Sequence, residues 1–554
     1  MIGEELLYEP FVITLFLGLV SVLSLYWYST RNANYWKKRG IPYVKPVLPF
    51  FGSTFAFLFK PFHEIEWERY QKLGPIYGFF EGSRPLLSVA DPKLIREILV
   101  KEFPSFANRR DFLSGNAIVD SMLPSLTGED WKRVRSVVSP TFTTGKIKRM
   151  VNIIKECSET LMQNFKNIAK SGRSFNAKEF YGAFTLDVIA SSAFSTKLDS
   201  HKDPNNKFVR AARQGFSTNF TWRIALYQLF PRLMQAFGIP FIPSTPTNFF
   251  KDLTLQLIEQ RNKTGQTRND FLQLLMDTVK EVSQGQKWES ASDKDDITSN
   301  YGQDESTHIA KSVTNKNLSL DELVAQCVIF FLAGYDTTAT TLSHASHLLA
   351  LHPEVQSKAY EEIREVIEKH KGELTYEALQ EMKYLDNIIS ETLRIYPPAT
   401  RLERLTTSDY KLGDTGITVP KGMVVTIPNH ALQNDPKYFP NPEEFDPDRF
   451  TPEERGKRDP YVYLPFGSGP RNCVGMRFAL MEVKACLAYV IANFKLQRSP
   501  ETKVPLEFQL GPGLLHVKQL TWNLGLRVFE ILEPKPIVGD EISLSDLGCI
   551  SMQK

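Results

Sequence analysis

The sequence is poor in cysteine and carries almost no net charge. Its 554 residues include five cysteines, at positions 157, 327, 473, 486 and 549, and no Cys-x-x-Cys pair. This excludes a disulfide framework or a zinc ribbon and favours a reducing, cytosol-facing compartment. Lysine and arginine exceed aspartate and glutamate by only three, so the basic excess typical of nucleic-acid-binding proteins is absent, and we expect no nucleic-acid partner.

Phenylalanine, in contrast, is abundant, with 38 copies. The hydrophobic share of 42% and the charged share of 23% are ordinary for a globular protein with a substantial core. The surplus of phenylalanine therefore indicates large apolar cavities or a surface that faces a membrane.

Residues 11–30 form a run of 20 residues without a charged side chain. As a helix this run spans about 30 Å, the thickness of the hydrocarbon core of a bilayer. A cleaved signal peptide would have a basic start and a shorter apolar stretch, whereas this chain starts with acidic residues. The basic residues follow the run, at positions 31, 37, 38 and 39, which places the amino terminus in the lumen. We predict an uncleaved single-pass anchor with a cytosolic body.

The chain divides into three predicted parts. Residues 1–45 hold the anchor, its basic flank and a proline-rich hinge, residues 46–530 form the main domain, and residues 531–554 are a tail without an assigned role. Within the main domain, residues 283–316 include only seven apolar residues in 34, so we expect a mobile polar insertion. The apolar but proline-broken residues 226–250 are either a buried connector or a lip that dips into the membrane.

Helical patterns dominate residues 60–400, and short strands are predicted near residues 76–89 and 410–427. Ser319 and Glu322 form a capping box immediately before an apolar series, which predicts a long helix. This helix should end near Leu351, because His352 precedes a proline.

The most specific feature is the sequence FGSGPRNCVG at residues 466–475. Glycines on both sides of Cys473 allow a tight turn with backbone N–H groups close to the sulfur. Helical periodicity follows, so the sulfur would lie at a helix amino terminus, where the helix dipole stabilises a thiolate. Such a thiolate is a nucleophile or a metal ligand. A cysteine hydrolase would also need a histidine and an Asn or Asp partner, which nothing in the sequence marks.

The pattern F-x-x-G-x-R-x-C-x-G resembles the haem-binding loop of cytochrome P450 enzymes. The resemblance covers roughly residues 40–530 and implies a mainly α fold with small β-sheets behind an N-terminal transmembrane helix. It implies that Cys473 ligates the iron of haem b, that Phe466 packs near the sulfur and that Arg471 reaches a haem propionate. The sequences SPTFTTG at residues 139–145 and RLER at residues 401–404 are similar to the clan that contains vertebrate drug-oxidising P450s and thromboxane synthase.

The long helix contains AGYDTT at residues 333–338, which resembles the oxygen-binding groove of the family. A threonine in a helix can donate to the carbonyl four residues back, so Thr337 is expected to bond Ala333, with Gly334 adding room. By the resemblance, Asp336 and Thr337 are an acid–alcohol pair that delivers protons to bound oxygen. A merely bent helix is the other interpretation of this turn.

Further family motifs concern the haem propionates and a buried ion cluster. The resemblance gives propionate contacts to Trp131, Arg135, Arg109 and Arg404, of which Trp131 and Arg135 share a helical face. Glu391 and Arg394 lie three residues apart in apolar surroundings, which indicates a buried rather than a surface ion pair. With Arg449, they match a structural triad of the family.

The resemblance implies a haem-thiolate monooxygenase that inserts one atom of O2 into a lipophilic substrate such as a xenobiotic, a steroid or a fatty acid. Electrons would come from NADPH through NADPH–cytochrome P450 reductase, with cytochrome b5 as a second donor, at the endoplasmic reticulum membrane. One alternative is a haem-thiolate isomerase or dehydratase that rearranges a lipid peroxide. Another is a membrane-anchored haem-binding protein without turnover. The polar insertion is longer than is usual in the clan, and the tail departs from its pattern.

Overall fold

The fold was analysed in a computed structural model. It describes residues 2–110, 114–215, 231–239, 244–268, 270–283, 301, 318–510, 514–527 and 542–543. The predicted mobile insertion, apart from its residues 283 and 301, and most of the C-terminal tail lie outside the described residues.

The described chain is mainly helical, with small β-sheets, as the sequence predicts. The α-helices are α1 (Ile2–Thr30), α2 (Tyr35–Lys38), α3 (Phe62–Leu73), α4 (Pro92–Arg96), α5 (Ala117–Asp120), α6 (Gly128–Val138), α7 (Thr144–Ser171), α8 (Ala177–Phe194), α9 (Lys207–Gly215), α10 (Pro231–Ala236), α11 (Ser244–Thr264), α12 (Phe271–Ser283), α13 (Leu320–Leu351), α14 (Pro353–Lys369), α15 (Tyr376–Glu381), α16 (Lys383–Ile395), α17 (Asn429–Gln433), α18 (Pro452–Gly456) and α19 (Met476–Asn493). Short helical turns of other types span Phe55–Leu58, Glu97–Lys101, Phe103–Phe106, Ser139–Phe142, Pro447–Phe450 and Pro460–Val462.

The strands form separate small sheets, and those in the two predicted regions are β1, β2, β6, β7 and β8. They are β1 (Ile76–Glu81), β2 (Arg84–Val89), β3 (Phe175–Asn176), β4 (Thr196–Lys197), β5 (Leu402–Leu405), β6 (Tyr410–Leu412), β7 (Ile417–Val419), β8 (Val424–Ile427), β9 (Phe494–Gln497), β10 (Thr521–Leu526) and β11 (Ile542–Ser543). The largest has the order β1-β2-β8-β5, with β2 and β8 parallel and the other pairs antiparallel. The others pair β3-β10-β9, β6-β7 and β11-β4. Strand β5 of this largest sheet carries Arg404, one of the arginines for which the family resemblance implies a propionate contact.

In the part of the chain that the structure describes, two helices are long and apolar enough to cross a membrane, and they differ in burial. The segment Phe11–Thr30 of α1 is not buried against the rest of the protein, whereas the α13 segment is 67% buried. The first is therefore the candidate anchor, and α13 is a core helix. Helix α13 begins with the predicted capping box of Ser319 and Glu322 and ends before His352.

The residues that follow the anchor lie against the main domain. Asn32 donates its side-chain amide to the carbonyl of Ser83 at 2.9 Å. Trp36 is 1% exposed and donates from its indole N–H to the carbonyl of Phe79 at 3.2 Å. Its ring lies so close to Gly78 that a side-chain carbon there would be 2.3 Å from it. The main domain thus begins to pack before the predicted boundary at residue 46.

The proline-broken segment, residues 226–250, is described at residues 231–239 and 244–250. There, Leu233 and Phe237 are 55% and 71% exposed, whereas Met234 and Phe250 are buried. The segment thus has both exposed and buried apolar side chains, and both interpretations of it stay predictions.

Glu391, Arg394 and Arg449 are brought together in the core. Arg394 donates to both oxygens of Glu391, at 2.7 Å from Nε and 2.8 Å from an Nη atom, and both side chains are fully buried. Arg449 lies 3.3 Å from Glu391, on the helical turn Pro447–Phe450. Backbone carbonyls accept further hydrogen bonds from the two guanidinium groups, for example Gln433 from Arg394 at 3.0 Å and Asn441 from Arg449 at 2.8 Å. The predicted burial of the Glu391–Arg394 pair is confirmed.

We expect Glu391→Gln to lower the free energy of unfolding by about 3–5 kcal/mol, because it leaves two buried guanidinium groups without their counter-ion. Denaturant unfolding of the detergent-solubilised protein measures this change. The matched control is Glu361→Gln, which breaks a Glu–Arg pair of the same spacing with Arg364, but on the surface, where the two side chains are 51% and 42% exposed. It should cost less than about 1 kcal/mol. Equal effects of the two variants would contradict the prediction.

Candidate active site

A cavity of about 420 Å³ lies between helix α13 and the loop that carries Cys473. One wall is formed by α13, through Ala333, Gly334 and Thr337, and the opposite wall by residues 465–475. The remaining lining is largely apolar and includes Leu123, Phe142, Ile189, Phe271, Ile329, Phe330, Leu393, Ala399, Leu402 and Leu514. The two most specific sequence motifs therefore face each other across one space.

Backbone geometry presents the Cys473 side chain to this cavity. Gly467 and Gly469 both adopt φ of +72°, which L-residues with side chains rarely do, and the N–H of Cys473 donates to the carbonyl of Phe466 at 2.9 Å. A Cβ on Gly469 would lie 2.0 Å from the carbonyl oxygen of Leu99. Helix α19 begins at Met476, three residues after the exposed Cys473. The tight turn before a helix that the glycines predict is present.

Four arginines converge at the edge of the cavity: Arg135, Arg404 and Arg471, which are buried, and Arg109, which is half-buried. Burial and the charges of the three neighbouring guanidinium groups lower the pKa of Arg471 to about 8, and burial and Arg109 lower the pKa of Arg404 to about 9. Among the described residues, the Nε atoms of Arg404 and Arg471 have no hydrogen-bond partner. Glu403, the carboxylate that acts on Arg109, already pairs with Arg110 and Arg401.

The other contacts of these arginines orient them without neutralising them. Arg135 donates to the backbone and side-chain oxygens of Asn472, at 3.0 and 2.7 Å. The Arg471 guanidinium stacks 4.4 Å above the ring of Trp131. So much buried positive charge is unfavourable unless an anion compensates it. The site is therefore built for a largely apolar ligand with negative groups at one edge and an atom that binds sulfur.

Comparison with known proteins identifies the family. The sequence model of the family described as cytochrome P450 matches residues 42–523. Cytochrome P450 3A11 of Mus musculus is 40% identical over 503 residues, which cover 90% of this chain and 93% of that protein. The chain belongs to the cytochrome P450 family. Lithocholate 6-beta-hydroxylase of Mesocricetus auratus (38% over 502 residues, 88% and 92% covered) and cytochrome P450 3A7 of Homo sapiens (38% over 507 residues, 90% and 94% covered) are also similar.

This P450 is thus a monooxygenase of a family that uses haem iron and O2. The residues present fit a haem. Its porphyrin is apolar, its iron binds thiolate, and its two propionates supply the anionic charge that the arginines lack. The unpartnered Nε atoms of Arg404 and Arg471 and the exposed Cys473 are the observations that carry this fit.

The groove residues of the P450 helix α13 divide between two faces. Thr337 lines the cavity, and its hydroxyl donates to the carbonyl of Ala333 at 2.7 Å, as predicted. Gly334 gives room, but to a neighbouring helix, since a Cβ there would lie 2.4 Å from Cδ1 of Ile189 on α8. Asp336 is buried and does not line the cavity, because consecutive residues of a helix point about 100° apart.

Asp336 is held by two residues that the sequence motifs do not reveal. Lys178, at the start of α8, lies 3.1 Å from one carboxylate oxygen, and the Nε2 atom of His516 hydrogen-bonds to the other. Burial alone would raise the pKa of Asp336, but these two contacts hold it below its usual value. No signal in the sequence marks Lys178 or His516, since both are more than 150 residues distant from Asp336 along the chain.

The apolar residues next to the groove also differ in position. Phe330 lines the cavity, whereas Phe331 is completely buried and stacks on Phe250, 4.1 Å away between ring centroids. Ala399, after α16, and Leu514, before β10, also line the cavity. Residues 111–113 and 511–513 lie outside the described residues.

We expect Gly469→Ala to prevent haem loading, because the added carbon meets the Leu99 carbonyl at a positive φ. The cost is on the order of 3 kcal/mol or more at this turn. The haem absorbance per mole of purified protein measures the loss. Gly475→Ala is the control, since its Cβ would make an ordinary contact of 3.8 Å with Phe142 at a φ of −89°. It should retain most of its haem, and similar haem content in the two variants would disprove the prediction.

Proposed function

We propose that this P450 is a haem-thiolate monooxygenase, anchored in the membrane, that inserts one atom of O2 into a lipophilic substrate while the other leaves as water. The observation that carries the proposal is a single cavity with Cys473 on one wall, Thr337 on the opposite wall and the four arginines at its edge. The apolar lining favours substrates such as steroids, fatty acids and drug-like molecules. One relative is named for the 6-beta-hydroxylation of lithocholate, which supports a steroid among these candidates.

The residues of this chain would each supply part of the site. Cys473 would bind the haem iron through its sulfur, with Phe466 beside it, and Arg109, Arg135, Arg404 and Arg471 would bind the propionates together with Trp131. When bound, the haem supplies the activation of O2, which the electron-rich thiolate promotes. Thr337 holds a proton at its hydroxyl on the cavity side, Ala333 accepts its hydrogen bond, and Asp336 supplies protons from the other face of α13.

The chemistry depends on water staying out of the apolar part of the cavity. Phe330 of α13 packs edge to face against both Phe142 and Phe271, with the ring centroids of Phe271 and Phe330 4.0 Å apart. An apolar wall of this kind excludes water and orients a lipophilic substrate by shape rather than by hydrogen bonds. Glu391, Arg394 and Arg449 act behind the loop, in folding and in haem retention.

Electrons and location complete the proposal. NADPH–cytochrome P450 reductase is the proposed donor, with cytochrome b5 as a second one. The exposed Arg149 on α7 and the half-buried Arg477, in the first turn of the helix after Cys473, offer positive charge to an acidic partner.

Residues 1–45 would anchor the protein in the endoplasmic reticulum membrane, residues 46–530 would form a cytosolic catalytic domain, and residues 531–554 would be a separate tail. The exposed apolar segment Phe11–Thr30 supports the anchor.

The decisive assay places the full chain in lipid vesicles with reductase, NADPH, isotopically labelled O2 and a panel of steroids, fatty acids and drug-like molecules, analysed by mass spectrometry. We expect products that carry one labelled oxygen atom. Cys473→Ala should abolish both the products and the thiolate-type spectrum of the reduced carbon monoxide complex, whereas the control Cys157→Ala, at a half-buried site distant from the cavity, should keep both.

Two results would contradict this function. Product formation from a lipid peroxide without NADPH or reductase would indicate an isomerase or dehydratase. Bound haem without turnover of any substrate would indicate a haem-binding protein.

We expect Thr337→Ala to keep its haem and to consume NADPH, but to form about tenfold less product per NADPH and to release hydrogen peroxide instead, because the hydroxyl next to the oxygen site is lost. Product and peroxide are measured in the same reaction. Ser343→Ala is the control on the same helix, since Ser343 makes the same type of hydrogen bond, to Ala339 at 2.7 Å, but does not line the cavity. Native coupling in Thr337→Ala would exclude the proposed proton role.

A further inference from the structure

Helix α13 carries a line of buried polar side chains that do not line the cavity. We call Asp336, Thr340, His344 and His347 the polar stripe, and their spacing of four, four and three residues places them on one helical face. All four are at most 4% exposed. Asp336 and His347 are eleven residues apart, which corresponds to about 16 Å along the helix.

Several polar atoms of the stripe have no partner in the described part of the protein. They are the hydroxyl of Thr340, both ring nitrogens of His344 and the Nδ1 atom of His347. Buried polar groups are almost always hydrogen-bonded, and those without protein partners are usually satisfied by ordered water. An apolar core helix has no packing reason to bury two histidines in this way. We therefore expect ordered water along the stripe, hydrogen-bonded to these side-chain atoms.

The stripe is continuous with the contacts of Asp336 at its inner end. Lys178 and His516, which hold the Asp336 carboxylate, are also the charged neighbours that act on His344. At the outer end, the neighbours that act on His347 are Arg498, which is exposed, and His352, whose side chain is 35% exposed. The stripe thus leads from the protein surface to the carboxylate next to the oxygen site.

Both histidines are in the neutral form, which can accept a proton on one ring nitrogen and release one from the other. Burial lowers the pKa of His344 well below its usual value and that of His347 to about 4, so both rings are neutral at physiological pH. A neutral imidazole has one nitrogen that donates and one that accepts. It can take a proton on one side, release another from the opposite side and return to its first state by ring or water reorientation. The titratable and charged groups around the stripe are Lys178, Tyr396, Arg498, His516, His352 and Glu354.

We propose that the polar stripe is a proton inlet of this enzyme, which conducts protons from the surface at His352 and Arg498 through His347, His344 and Thr340 to Asp336. The inlet rests on the proposed monooxygenase function. That reaction, RH + O2 + 2 electrons + 2 H⁺ → ROH + H2O, takes up two protons per turnover, and they must reach a cavity with apolar walls. His344 and His347 act through Asp336 and touch neither haem nor substrate, so they are positioning residues of the relay.

Two alternatives to a proton path along the stripe are a metal site and a path through Lys178, and both have less support. Among the described residues, no group of three or more histidine, cysteine or acidic side chains is arranged to hold a metal ion. Lys178, with a side chain 31% exposed, is a second path to Asp336. An ammonium group cannot accept a proton until it has lost one, however, and Lys178 already carries a charge that stabilises the Asp336 carboxylate. We therefore assign proton transfer to the two histidines. Transfer through Lys178 is the competing outcome of the test.

The test replaces His344 by phenylalanine, which keeps the ring that stacks on Tyr396 at 4.6 Å and removes both nitrogens. In the reconstituted system we expect native haem content in His344→Phe, about tenfold less product per NADPH and a larger solvent deuterium isotope effect on product formation. Oxidation driven by hydrogen peroxide should stay at the native rate, because peroxide brings both protons with its oxygen (RH + H2O2 → ROH + H2O). His344→Gln, which still binds water, should recover part of the coupling.

The matched control is His63→Phe. His63 is also buried, with a pKa lowered to about 4 by burial, but it lies on α3 and packs against Phe508 and His430. The rings of Phe508 and Tyr396 separate it from His344. It should show native coupling and a native isotope effect. If His344→Phe does not retain haem, His347→Phe at the outer end decides the question by the same measurements.

Native coupling and isotope effect in the stripe variants, or a change in Lys178→Met alone, would overturn the inlet. An equal loss in His63→Phe would also overturn it, because the effect would then belong to any buried histidine. Failure of the unmodified protein to oxidise substrate with either NADPH or peroxide would instead overturn the proposed function, and the inlet with it.

Discussion

The site depends on the mutual repulsion of four guanidinium groups, three of them buried and that of Arg109 half-buried. Arg109, Arg135, Arg404 and Arg471 come from separate parts of the chain: a loop, helix α6, strand β5 and the cysteine loop. Their convergence is unfavourable without a compensating anion, since they are largely removed from water and close to like charges. Binding of the proposed haem propionates to these arginines would therefore be coupled to the final packing of the segments that carry them.

Short sequence motifs predicted the helix ends and the turn whose geometry is set by neighbouring residues. The capping box of Ser319 and Glu322 and the proline after His352 delimit α13 as the structure has it, and the glycines around Cys473 predict the turn that the backbone adopts. The surroundings of Glu391 and Arg394 likewise indicated a buried pair. Each of these features is encoded within about ten residues of sequence, where hydrogen bonding and backbone conformation act directly.

Contacts between distant segments were not predictable in the same way. The family motif names Asp336 beside Thr337, but it cannot say that Asp336 turns towards Lys178 and His516, because these neighbours are set by how α8 and the segment before β10 pack on α13. Likewise, the motif contains Gly334, which lines the cavity, but it cannot say that Ile189 of α8 packs closely against that glycine. The helical rotation between Phe330 and Phe331 also sends Phe331 into the core, while Phe330 lines the cavity.

The packing of Trp36 against strand β1 has a mechanical consequence. Asn32 contacts the main domain two residues after helix α1 ends, and Trp36 is buried against Gly78. Few residues without such contacts therefore separate α1 from the main domain. A junction this short and this well packed holds the end of α1 at a fixed place on the domain. With α1 as the proposed membrane anchor, the same contacts would set the orientation of the domain relative to the bilayer.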